Sequence, residues 1–200
     1  MPIKAKRSKK PGYRSSPAQQ PASHKWRNIL LGGGAVLGLL ALGYMLYLSL
    51  QGPSPIQDLI TYARQSRGHV QEPLEVGELP PAGGEHSGIW QNCGIYTSPV
   101  AAENVMHSLE HGAVWITYQP DLPEEDVTYL QDLVRRESSI VLSPYPGLKS
   151  PVVATAWEVQ LELDSVDDGR LNDFIDRYQK GPTVPERLGT CSNGVGTPLP

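Results

Sequence analysis

The feature that most constrains this chain is an uninterrupted apolar run near its N-terminus, from Ile29 to Leu50, which carries no charged residue over 22 positions. As a helix rising 1.5 Å per residue, this run would reach about 33 Å, enough to cross the hydrocarbon core of a bilayer. Trp26 at one end and Tyr44 and Tyr47 near the other are typical of membrane–water interfaces. The run is longer than the apolar core of a signal peptide, and no small-residue cleavage site follows it. The sequence therefore predicts an uncleaved membrane helix over residues 26–50.

Charge is divided sharply on either side of this run. The first 28 residues hold eight basic residues and no acidic one, whereas all 21 acidic residues follow the run with nine of the 17 basic ones. Because segments rich in Lys and Arg stay in the cytoplasm, we expect the N-terminal tail inside and the acidic remainder, with a formal charge of about −12, outside. Topology and attraction to anionic lipid explain the basic tail, so we expect the bilayer as a partner and no nucleic acid. Gly34 and Gly38 form a small-xxx-small pair that could support a weak homodimer.

Local patterns divide the chain into five segments. We expect a disordered basic tail over 1–25, the transmembrane helix over 26–50, a linker over 51–55, an extracytoplasmic domain over 56–187 and a C-terminal tail over 188–200. The domain opens with residues 56–63, where apolar side chains recur at helical spacing and predict a short helix. About thirty residues, 68–97, then show little periodicity. A segment of that length without regular structure is more often functional or disordered than incidental.

After this segment the patterns alternate between helix and strand. Residues 98–112 predict a helix, with Ser98 as its N-cap and Gly112 at its end. Further helices are predicted over 122–136 and 167–182, and strands over 113–118, 139–143 and 154–164. This order indicates an α+β fold, in which an N-terminal transmembrane helix is followed by a small domain with one mixed sheet covered by amphipathic helices.

Four of the five histidines fall within 43 consecutive residues: His69, His86, His107 and His111. Imidazole is a common ligand of zinc and copper, and histidines at i and i+4 of a helix can bind one ion together. In a helix over residues 98–112, His107 and His111 point away from the apolar stripe. The sequence thus predicts a copper or zinc site built from these four histidines. The competing hypothesis is a hydrogen-bonded histidine network that orders the loop without metal.

The segment from His107 to His111 also fits H-x-x-E-H, the inverted zinc-peptidase motif. In that motif both histidines bind zinc and the glutamate, here Glu110, activates water, while a distant carboxylate such as Glu186 completes the ligand set. The pattern is short, and Gly112 is expected to end the helix directly after it. A binding or structural protein therefore explains the chain more readily than an enzyme does, and Glu110 is a catalytic candidate only in the hydrolase hypothesis.

The two cysteines allow two interpretations. In a domain outside the cytoplasm, Cys93 and Cys191 would form one disulfide, which would tie the loop to the tail and stabilise the fold by roughly 3–4 kcal/mol. Alternatively, Cys93 is a thiolate ligand beside the histidines, which would also suit copper or zinc. No C-x-x-C pair is present, so nothing supports a thioredoxin-type redox role.

Longer segments resemble one bacterial family. The resemblance is carried by "PPAGGEHSGIW", "CGIY", "ENVMHSLEHGAVWITY", "SPYPGLKSPVVATAWE" and "FIDRYQKGPTVPE". Together they resemble the family catalogued as domain of unknown function 3105, over most of residues 60–187. The resemblance implies a single-pass membrane protein with its domain outside and with histidines at the four positions named above. It implies no reaction, so docking on a partner in a membrane complex stays open as a function.

Overall fold

The computed structural model describes residues 24–52, 54–71 and 77–200. The chain divides into two units, Met1–Ser54 and Pro55–Pro200. In the first unit a helix, α1, spans His24–Leu50. Its segment Leu31–Leu50 is long and apolar enough to cross a membrane. The predicted apolar N-terminal helix is thereby confirmed. Of the tail predicted over residues 1–25, residues 1–23 lie outside the described residues, and 24–25 belong to α1.

The second unit is built on one mixed sheet of six strands. The described part of this unit has eight strands, six in the sheet and two in a separate pair. In chain order they are β1 Ile60–Thr61, β2 His69–Val70, β3 His86–Ser87, β4 Gly94–Ile95, β5 Val114–Tyr118, β6 Ile140–Pro144, β7 Val152–Ala156 and β8 Val159–Leu163. β2 and β3 form a separate parallel pair, and the other six strands lie in the order β1-β8-β7-β5-β6-β4. β5 pairs parallel with β6 and antiparallel with β7, which makes the sheet mixed, as predicted.

Helices cover both faces of this sheet. They are α2 Ala102–Glu110, α3 Glu124–Val134 and α4 Gly169–Tyr178. Consecutive residues of a strand point to opposite faces. Trp115 of β5 accordingly packs in the cluster that contains Leu109 of α2, while Ile116 packs in the other cluster with Leu130 of α3 and Phe174 of α4. α2, which carries the paired histidines, therefore lies on the opposite face from α3 and α4.

Two segments have a secondary structure that differs from the one predicted. Residues 56–63 do not form a helix, because the chain turns at Asp58, with φ at 58°, and then forms β1 against β8. An isolated helix of eight residues is unstable in water, whereas the added strand gains backbone hydrogen bonds from a sheet that already exists. The predicted strand over 154–164 is a hairpin of β7 and β8, and the chain reverses at Glu158, where φ is 66°.

The last residues, 188–200, pack against the loop before α2. Two isolated bridges join Gln91 to Val195 and Ile95 to Leu199. A disulfide joins Cys93 to Cys191, with 5.3 Å between their Cα atoms. Residues 188–200, which were predicted as a C-terminal tail, are therefore joined to the domain by the disulfide and by backbone hydrogen bonds. Both sulfurs are bonded to each other, so Cys93 offers no thiolate to the histidines.

Candidate metal centre

Four side chains converge where the end of α2 meets the β2–β3 pair. His69 opens β2, His86 opens β3, and the two residues stand opposite each other in parallel register. His107 and Glu110 lie three residues apart on α2 and therefore share one helix face. One ligand-capable atom from each of these four residues lies within 4.8 Å of those of the other three. The loop and the helix thus meet at one point, and we refer to these four residues as the His₃Glu group.

The three imidazole rings of the group form a nearly equilateral triangle. Their centroids are separated by 5.0 Å between His69 and His86, 4.9 Å between His69 and His107, and 5.0 Å between His86 and His107. His86 is fully buried, and His107 and Glu110 are 6% and 3% exposed. His69 is the exposed member. The group is therefore closed to solvent on the side of α2 and open on the side of β2.

Backbone carbonyls orient the two buried histidines. Nδ1 of His86 donates to the oxygen of Gly84 at 2.7 Å, and Nδ1 of His107 donates to the oxygen of Ser87 at 2.7 Å. A carbonyl oxygen only accepts, so each ring carries a proton on Nδ1, and a neutral ring then keeps its lone pair on Nε2. Metal-binding histidines are usually held in this way, with one nitrogen donating to a carbonyl and the other facing the ion.

The contact between His86 and Glu110 requires a proton or a cation between its two atoms. Nε2 of His86 lies 3.1 Å from Oε2 of Glu110. If His86 is neutral, two lone pairs face each other, and the contact is favourable only with a proton or a cation between them. Nε of Arg67 lies 3.9 Å from Oε1 of Glu110, but this arginine is 58% exposed and compensates the buried carboxylate weakly. The group thus has the charge and the lone pairs that a cation would satisfy.

Burial also favours the neutral, ligand-competent form of His107. Loss of hydration lowers the pKa of this imidazole, and nearby His111, His86 and His69 lower that pKa further, against the opposing effect of the bond to Ser87. A metal ion binds imidazole only in its neutral form. His107 therefore needs no deprotonation at neutral pH before it can act as a ligand.

The group is wider than a loaded site. Bonds from zinc to nitrogen or oxygen are about 2.0–2.2 Å, so two ligands of one tetrahedral ion are about 3.4 Å apart. The ligand-capable atoms of the His₃Glu group lie within 4.8 Å of one another. Loading would therefore draw the most widely separated pair together by up to about 1.4 Å. His69 is exposed and can make that movement without disturbing the core.

His111, the remaining histidine predicted as a ligand, lies beside the His₃Glu group and not in it. Its ring packs against His107 with 4.6 Å between centroids, and its Nδ1 donates to the oxygen of Thr190 at 2.8 Å. Its Nε2 lies 3.6 Å from Oε2 of Glu186. Glu110 occupies the position in the group that was predicted for His111. The zinc-peptidase motif requires the reverse, with both histidines as ligands and the glutamate free.

Two tryptophans that the sequence analysis did not connect with the site pack against its rings. Trp90 lies 5.6 Å from His107 and 5.0 Å from His111, centroid to centroid, and its Nε1 donates to the oxygen of Ser192. Trp157, in the turn between β7 and β8, lies edge-on to His86 at 5.8 Å. These indoles limit the access of water to the imidazoles. The only sequence signal for Trp90 was its place in the histidine-bearing loop.

One family model covers most of the domain. The family described as Protein of unknown function (DUF3105) matches residues 69–193, more than half of the chain. The matched region begins at His69, contains the whole His₃Glu group and both cysteines, and extends past residue 187, where the resemblance was expected to end. No curated protein and no solved structure matches the chain. The chain belongs to the DUF3105 family.

Proposed function

We propose that the domain binds one divalent transition-metal ion, zinc or copper, through His69, His86, His107 and Glu110. The observation that carries this proposal is the orientation of the two buried imidazoles. Backbone carbonyls fix the proton of each on Nδ1, so that the Nε2 lone pairs remain in a group that also contains a buried carboxylate. In a histidine network without metal, Nε2 of His86 would instead carry a proton and donate it to Oε2 of Glu110, so metal binding by the purified chain decides between the two.

The donor set favours the divalent state. Three imidazole nitrogens and one carboxylate oxygen suit Zn²⁺ and Cu²⁺, whereas Cu⁺ prefers thiolate and thioether sulfur. Both cysteines are joined in a disulfide and supply no thiolate. Cu²⁺ binds a given site of this type more tightly than Zn²⁺, so the metal present in the cell would follow from availability.

We also propose that α1 anchors this domain outside the cytoplasm. Eight basic residues precede the apolar helix, which favours a cytoplasmic N-terminus. The disulfide between Cys93 and Cys191 persists most readily in an oxidising compartment. A metal site on such a domain would take up its ion from outside the cytoplasm.

Glu110→Gln tests the proposal and separates a ligand from a catalytic base. The full chain, purified in detergent without a polyhistidine tag, should bind about one zinc ion after exposure to zinc. The substitution should weaken zinc binding by at least about 10–100-fold, the loss that removal of a group supporting a ligand already causes, because an amide oxygen is a poorer donor than a carboxylate. Competition with a chromophoric chelator measures the change. Glu103→Gln, on the first turn of the same helix and outside the group, should leave the affinity unchanged.

The outcomes distinguish the three hypotheses. If Glu110→Gln keeps its zinc and loses a hydrolytic activity that the wild type has, the hydrolase hypothesis is supported and the ligand role is wrong. If the wild type holds neither zinc nor copper after exposure to each, the histidines form a structural network and the proposal fails.

A further inference from the structure

A cavity of about 310 Å³ opens beside the His₃Glu group, between the segment before β2, the β7–β8 turn and the chain after α4. Arg64 and Arg67 line it from the first of these segments, Trp157 from the second and Thr183 from the third. Its volume is at the lower end of the range for sites that take small molecules.

This cavity gathers positive charge in an acidic domain. The 21 acidic residues of the chain all lie in the domain with nine basic ones, and two of those nine, Arg64 and Arg67, line this one cavity. Glu158 also lines it, but its Oε1 accepts a hydrogen bond from the backbone N–H of Gln65 at 2.8 Å. The arginines therefore outnumber the acidic group, whose oxygen is already engaged by the backbone.

The hydrogen-bond donors that line the cavity have few partners among the described residues. Arg64 makes no hydrogen bond or ion pair with any residue in the described ranges of the chain. Within the ranges that the structure describes, the one ion pair of Arg67 is the long approach of its Nε to Oε1 of Glu110, at 3.9 Å. The hydroxyl oxygen of Thr183 is buried without a hydrogen-bond partner among the described residues. A buried hydroxyl without a partner is unfavourable, and it would gain a bond if the side chain of Thr183, which lines the cavity, turned toward an acceptor bound there.

We infer that the cavity binds an oxyanion, a phosphate or carboxylate group of a small molecule, through Arg64, Arg67 and the hydroxyl of Thr183. The planar guanidinium offers paired N–H donors that match the oxygens of both groups. Both arginines are exposed, so solvent screens the interaction and the dissociation constant of a simple anion is expected in the millimolar range. The inference does not depend on the metal proposal, because no residue of the His₃Glu group serves as a donor here.

The test is an NMR titration of the metal-free, ¹⁵N-labelled full chain in detergent with sodium phosphate, sodium acetate and sodium chloride at constant ionic strength. We expect saturable shifts of the amides near Arg64, Arg67 and Thr183 with phosphate, acetate or both, and none with chloride. Saturation by phosphate alone assigns the site to phosphate groups, saturation by acetate alone assigns it to carboxylates, and saturation by both assigns it to either group.

The double variant Arg64→Gln/Arg67→Gln should bind the same anion at least tenfold more weakly. Arg135→Gln is the matched control, since Arg135 is an exposed arginine directly after α3, paired with Asp132 and absent from the cavity lining. Both arginines of the cavity are exposed, so their replacement should leave the fold intact, which circular dichroism checks. The absence of saturable shifts with either oxyanion, or equal binding by the double variant and the wild type, would overturn the inference.

Discussion

His107→Gln should lower the affinity of the full chain for zinc by about 100-fold or more, whereas His111→Gln should lower it by less than tenfold. The two residues are one helical turn apart, and both are buried, at 6% and 5% exposure. Each donates its Nδ1 proton to a backbone carbonyl, and each packs against Trp90. They differ in that His107 belongs to the His₃Glu group and His111 does not.

His111→Gln is therefore the control for His107→Gln, because it removes a similarly buried and packed imidazole that is outside the His₃Glu group. Zinc affinity is measured by competition with a chelator, and circular dichroism verifies that both variants fold. Equal large losses in the two variants would support the four-histidine site predicted from the sequence. Zinc affinity unchanged in both variants would mean that neither imidazole is a ligand.

Removal of the disulfide should produce the largest loss of stability. The double variant Cys93→Ser/Cys191→Ser should lower the free energy of unfolding by about 4 kcal/mol, because the bond closes a loop with a sequence separation of 98 and restricts the unfolded chain. Urea unfolding of the full chain in detergent measures the change. A reductant should bring the wild type to the stability of the double variant and should not affect the variant. A loss below about 1 kcal/mol would contradict a stabilising role for the bond.

The same bond supports one wall of the candidate metal centre. The residues on either side of Cys191 supply the acceptors for two rings at the site, since the oxygen of Thr190 accepts from His111 and the oxygen of Ser192 accepts from Trp90. Both rings lie outside the His₃Glu group. Loss of the disulfide should therefore reduce zinc affinity less than loss of His107 does.

Elements whose signal is local could be predicted from the sequence. In α4 the spacing of Leu171, Phe174, Ile175 and Tyr178 predicted the face that is buried in the structure. β5 and β6 were found in the same way, from short apolar runs between turn residues. β1 was mistaken for a helix, because its two residues acquire strand geometry only by pairing with β8, about one hundred residues later. A local pattern contains no information about such a partner.

The candidate site was predicted in part for the same reason. Histidine clustering identified three members of the His₃Glu group, His69, His86 and His107. His111 was predicted in preference to Glu110 because it is an imidazole at i+4 from His107, whereas ideal helix angles placed Glu110 to one side of the pair. In the structure the loop that covers α2 brings His86 to Glu110. That loop is positioned by the parallel pairing of β2 with β3, in which His69 lies opposite His86, seventeen residues later in the chain. No periodic pattern in the sequence predicts this pairing.

The X-ray absorption spectrum of zinc bound to the full chain without a tag tests whether the His₃Glu group holds the ion. Four nitrogen or oxygen ligands at about 2.0–2.2 Å are expected, with the multiple scattering of three imidazoles and no sulfur at about 2.3 Å. A first shell with a sulfur ligand, or with fewer than two imidazoles, would contradict the claim that His69, His86, His107 and Glu110 bind one ion together.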